Sequence, residues 1–135
     1  MVRRAMAPTM VALSVSPEAE MCERMALVGI EGGWALPGQF NCLLDCADLL
    51  VLAATEKDDK GCIEVAQHGR EALANIANRY QSEKTLKAEA EEMVVLNCLV
   101  DVSEDFWRRK SGALFADSYR ALDKYREYQK EIAAA

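Results

Sequence analysis

Met93-Val94-Val95-Leu96-Asn97-Cys98-Leu99-Val100 is the stretch whose reading decides the fold. Successive side chains on a helix turn by about 100°, so this run points apolar groups in nearly every direction. A helix that is apolar all round belongs inside a bundle or across a membrane. The run is far shorter than the ~20 residues a span needs, and acids crowd both of its ends. Residues 86–110 are therefore expected to form a buried central helix, capped by Thr85 and ended by Ser111-Gly112.

The rest of the chain reads as cover for that helix. Ser16 suits a helix cap, Pro17 the first helical position, and Glu18 and Glu20 the positive end of the helix dipole. This first helix is expected to bury Cys22, Met25, Ala26 and Gly29, and to stop near Ile30 before Gly32-Gly33. A loop from Glu31 to Gly38 holds Trp34 and Leu36. A second helix, from about Gln39 to Thr55, carries a wide apolar stripe (Phe40, Leu43, Leu44, Ala47, Leu50, Val51, Ala54) and a narrow wet side of Asn41, Asp45 and Asp48. A solvated connection leads to a third helix, about Cys62 to Tyr80, in which Gly69 falls on the inward stripe and marks a helix crossing. A last helix is expected to run through about Lys130, with Leu114, Phe115, Ala121, Leu122, Tyr125 and Tyr128 inward. The fold class is all-α: an antiparallel bundle of about five helices, one domain over 16–132 after an N-terminal tail of 1–15. In that tail Arg3-Arg4 precede a mild apolar run, but Pro8 and Thr9 interrupt it and no small-residue cleavage site follows.

Composition narrows function. Among 135 residues there are 22 acids and 16 lysines and arginines, a net charge of −6, which disfavours a general phosphate-neutralising surface. Five cysteines in a chain large enough to need no staples read as reduced thiols in the cytoplasm.

Several constellations invite chemistry. Cys42 and Cys46 lie four apart on a helix, and with Cys62 and His68 they would supply a tetrahedral zinc set. Within an apolar helix, however, free cysteine behaves as a small hydrophobe. His68 stands between Glu64 and Glu71, where a carboxylate–imidazole pair would move protons, yet all three sit on a polar face. Gly29, Gly32 and Gly33 follow no strand and make no phosphate loop. Glu89, Glu91 and Glu92 open a helix without the Glu-x-x-His partners of a di-metal bundle. Two features exceed what one buried face absorbs: Trp34 with Leu36 between glycines, and the consecutive Phe106-Trp107. Both members of the latter pair are hidden only if that end is covered from two sides.

The leading expectation is a small acidic protein without catalysis or cofactor. It would bind another protein, as an inhibitor, anti-activator or adaptor, and would be a homodimer. Trp34, Leu36, Phe40, Phe106, Trp107, Phe115 and Tyr119 are the partner-binding candidates, because aromatic residues anchor interfaces. The rival is an enzyme or a small-ligand or metal-binding bundle using Cys42, Cys46, Cys62 and His68. A third reading is a nucleic-acid-associated factor using Arg108, Arg109, Lys110, Arg120, Lys124 and Arg126.

Overall fold

The computed structural model describes residues 17–110 and 112–134. The expected tail, the Ser16 cap and the Ser111 break lie outside the described residues. Five helices follow one another: α1 (Pro17–Gly32), α2 (Pro37–Glu56), α3 (Lys60–Glu83), α4 (Ala90–Arg108) and α5 (Gly112–Ala134). All five contribute to one buried apolar cluster, so the chain is the helical bundle its periodicity implies. No helix among the described residues is long and apolar enough to cross a membrane.

The helix at the centre is α2, not the stretch around Met93–Val100. It packs against each of the other four, whereas α4 packs chiefly against α1, α2 and α3. Leu43, Cys46, Ala47, Leu49, Leu50, Ala53 and Ala54 of α2 are buried, and Phe40, Leu44, Val51 and Leu52 pack partly buried around them. In α4 burial is one-sided. Met93, Leu96, Leu99, Val100, Ser103, Phe106 and Trp107 are buried, but Val94 is 70% exposed and Asn97, Cys98 and Asp101 share its outer face. The supposedly wet strip of α2 is also covered. Asp45 and Asp48 accept the Arg126 guanidinium of α5 at 2.8 and 2.9 Å. Arg70 of α3 stands 3.1 Å from the other Asp48 oxygen in an ion pair without hydrogen-bond geometry.

Helix ends follow local chemistry. Gly33 takes a positive φ of 81°, and the Gly29 carbonyl accepts from the N–H groups of Gly33, Trp34 and Ala35, which closes α1 with a glycine stop. The Gln39 side chain accepts from the Leu36 N–H at 2.9 Å and fixes the start of α2. Asp59 caps α3 through the Cys62 N–H. Residues 84–89 are not helical. Leu86 and Ala88 turn inward, the Ala88 N–H donates to the Ile30 carbonyl, and Lys84 takes φ 62°. Thr85 is thus no cap; Glu92 accepts from the Glu89 N–H at 2.8 Å to begin α4.

Gly69 is the crossing point expected. A Cβ built there would lie 2.8 Å from Leu99 Cδ2, and Leu99 is fully buried. Alanine at 69 should gain about 1 kcal/mol of helix propensity but lose about 1–3 kcal/mol to overpacking. Gly69→Ala is therefore expected to destabilise the wild type and to stabilise a Leu99→Ala background, read as the urea midpoint of each variant.

Across the α3–α4 seam Arg79 binds Glu92, with Nη1 to Oε2 at 2.9 Å, and also donates to the Lys87 carbonyl. The Arg79 hydrogen bond holds the Glu92 carboxyl below its ordinary value of 4.5. A carboxyl depressed in the folded state contributes stability above its unfolded pKa and loses it as pH falls through the folded one. Stability should thus drop with acid from pH 4.5 downward, and Glu92→Gln should be less stable than wild type at neutral pH but show a shallower acid limb in urea melts across that range.

Candidate functional site

The seven partner-binding candidates fall in three places. Phe106 is fully buried and Trp107 is 8% exposed, so both belong to the core. That end of α4 is indeed covered from two sides. The Trp107 ring meets Phe106 at 5.0 Å edge-on and Phe115 of α5 at 5.1 Å, and Phe115 leads on to Tyr119 at 6.1 Å. Lys110 Nζ lies 5.0 Å from the Phe106 ring centre, within cation–π range. Phe40 is half-buried on α2. Trp34 and Leu36 remain outside, 53% and 67% exposed.

A cleft of about 310 Å³ opens where α1, α2, α4 and α5 meet, and Trp107, Phe115 and Tyr119 share its lining with Cys42, Cys46 and Glu23. Cys22 also lines it, but the two deeper thiols, Cys42 and Cys46, are poorly suited to chemistry. Burial, then the Glu23 charge, pushes Cys42 up to about 11, and the same causes in the same order raise Cys46 well above the usual range. A thiol reacts or ligates as its thiolate, so these two remain protonated at neutral pH. Cys62 does not line the cleft. It sits by Asp59, Asp105 and Arg109, and burial followed by the Asp59 contact raises it to about 11. His68 is exposed on α3. The four residues of the rival reading are therefore not gathered into one site, and no group of three or more His, Cys, Asp or Glu among the described residues is placed to hold a metal ion.

The basic residues of the third reading are largely engaged. Arg109 holds Asp105 at 2.8 Å, Arg120 holds Asp117, and Arg126 is bound by Asp45 and Asp48. Arg108 lies near Glu104. The carboxylates beside these guanidinium groups offset the positive charge that phosphate contacts would need.

What sequence reasoning missed is on α1. Met25 was expected inward, but Ala26, Leu27 and Ile30 take the core while Met21, Met25 and Val28 are 50–66% exposed. These three recur at i, i+4 and i+7, one face of a helix. At the end of that stripe the Trp34 indole lies against the backbone of Gly32, whose added Cβ would stand 2.4 Å from Trp34 Nε1. Met21, Met25, Val28 and Trp34 thus continue one another along the outside of α1. The signal was present in the unbroken apolar run Met25-Ala26-Leu27-Val28-Gly29-Ile30, which serves two faces at once.

The chain matches no protein-family model, no curated protein and no solved structure.

The two tryptophans should behave oppositely on truncation. Trp107→Ala is expected to cost about 3–5 kcal/mol, as for a buried Trp or Phe, whereas Trp34→Ala should shift stability by about 0.5 kcal/mol or less, as for a surface change. Chemical denaturation of both variants checks the pair.

Proposed function

We propose that this chain is a small acidic regulatory protein of the cytoplasm, of the inhibitor, anti-activator or adaptor type, which works by occluding or bridging a partner protein as a homodimer. The observation that carries the reading is the double-faced α1. Its inner residues Ala26, Leu27 and Ile30 are buried, while Met21, Met25 and Val28, with Trp34 beyond them, are left at the surface. Scattered exposed apolar residues need no explanation, but a contiguous stripe marks a place where another surface sits. Methionine suits such a role because its unbranched thioether adapts to the surface it meets, and tryptophan is the commonest interface anchor. A stripe at i, i+4 and i+7 is matched by an amphipathic helix of the partner laid along it. The raised Cys42 and Cys46 thiols speak against a reactive role for those two, and five free cysteines fit a reducing compartment.

The test is site-specific photo-crosslinking in the native cell. A photoreactive residue in place of Met25 or Trp34 should give the same discrete heterologous adduct. The same residue in place of Glu64, on the polar face of α3, should give none. Equal labelling from all three positions, or no adduct from either apolar position, would remove the α1 face from the proposal.

A further inference from the structure

We infer that the C-terminal part of α5 is a dimerisation arm that pairs antiparallel with the same segment of a second copy. The inference rests on the homodimer reading above and supplies its surface. The stripe by which α5 packs on the bundle is Leu114, Ser118 and Leu122, all buried. Tyr125, Tyr128 and Ile132, spaced three and four apart, carry an apolar face on from that stripe, and Tyr125 and Tyr128 are expected inward. Instead Tyr125, Tyr128 and Ile132 are 55–61% exposed, because the bundle ends beneath them. Arg126, bound to Asp45 and Asp48, is the last residue that α5 holds against α2. Every residue from Glu127 to Ala134 is exposed, about 12 Å of helix at 1.5 Å per residue. A helix extended into water without a packing face draws little stability from its backbone alone. A free arm is best served by straight-chain polar residues, not by two tyrosines and an isoleucine on one side.

Charge selects the occupant and its direction. Lys124 and Glu131 flank the face of Tyr125, Tyr128 and Ile132 on one side, seven residues apart, and neither has an ion-pair partner among the described residues. In an antiparallel pair, the same flank of each helix faces its twin. A two-fold axis near Tyr128 then sets Lys124 against Glu131 of the second copy, and Glu131 against its Lys124. The same axis lays Tyr125 over the second Ile132 and brings the two Tyr128 rings together. A parallel pair sets this flank against the opposite one, and the exchange is lost. Self-complementary two-fold contact is the commonest form of association, and the stripe continues an apolar face already used within the chain.

Sedimentation equilibrium on the full chain tests this. Wild type should be a dimer at high micromolar concentration. Tyr128→Asp should weaken association at least ~10-fold, as for an interface anchor, with the melting temperature extrapolated to low concentration unchanged. Lys124→Glu should weaken it roughly 5-fold through two like-charge contacts, and Lys124→Glu with Glu131→Lys should restore it. A chain that stays monomeric throughout overturns the inference, as does a dimer indifferent to Tyr128→Asp, which would place the contact on α1 or elsewhere. A charge exchange that fails to rescue overturns the antiparallel pairing. The outcome is separable from that for α1: a monomer that still crosslinks from Met25 sinks the arm alone, and a dimer without an α1 adduct sinks the docking face alone.

Discussion

The need to bury α2 on every side organises this molecule. Between Phe40 and Ala54 the helix carries Asn41, Asp45 and Asp48 and no base. Seven of its residues are buried and four more are partly so. At about 1.5–3 kcal/mol for each large apolar side chain removed from water, its leucines contribute, with the larger side chains of α4, to a core that must offset the entropy of ordering the chain. Four neighbours meet that demand. α1 and α3 flank it, α4 closes the far side, and α5 lies over the strip that Asp45 and Asp48 would otherwise turn to solvent.

Charges set which helix goes where. Arg24, Arg70, Arg79 and Arg126, on α1, α3 and α5, reach between helices, and the carboxylates they meet among the described residues stand on α2 and α4. Arg24 spans α1 and α4 by taking Asp101 and both oxygens of Glu104, while Arg79 and Arg70 tie α3 to α4 and α2. Such rim pairs contribute little energy, about 0–1 kcal/mol each. Their value lies in discrimination, because a topology that exchanged an odd-numbered helix for an even one would face like charge with like. Apolar stripes alone specify that helices pack; the placing of arginine against carboxylate disfavours neighbours of like charge.

Much of this was legible in the chain, and the failures have particular causes. Helix count and the close approach at Gly69 follow from spacing and glycine placement. The burial of both Phe106 and Trp107 does not, because adjacent aromatics show that two sides need cover and not that the chain itself supplies both. The choice of centre does not follow from an octet. Met93–Val100 is dense in apolar residues, but over its whole length α4 also carries Asn97, Asp101, Glu104, Asp105 and Arg108, and those fix a wet face. The same test applied to α2 finds only the narrow strip of Asn41, Asp45 and Asp48, whose two acids are met in the structure by arginines of other helices. Thr85 failed as a cap because Leu86 and Ala88 alternate inward with the period of an extended strand. The stripe of Met21, Met25 and Val28 was hidden because periodicity reports that a residue is apolar, not which of two apolar faces the rest of the chain will cover.

That ambiguity bears on function. A helix with apolar residues on two faces is under-determined by its own sequence, and the bundle resolves it by placing the compact Ala26, Leu27 and Ile30 inside and the pliable methionines outside. The same division recurs along α5, where an apolar stripe is used by the bundle as far as Leu122 and then outruns it. Both surfaces thus arise from an element longer or broader in its apolar character than the core requires. Two copies joined through their α5 arms would carry two α1 faces in one particle. Bivalent attachment converts a second weak contact into an intramolecular one and raises avidity without new contacts. This would give bridging a physical advantage over simple occlusion, because a stripe as narrow as that on α1 would be presented twice.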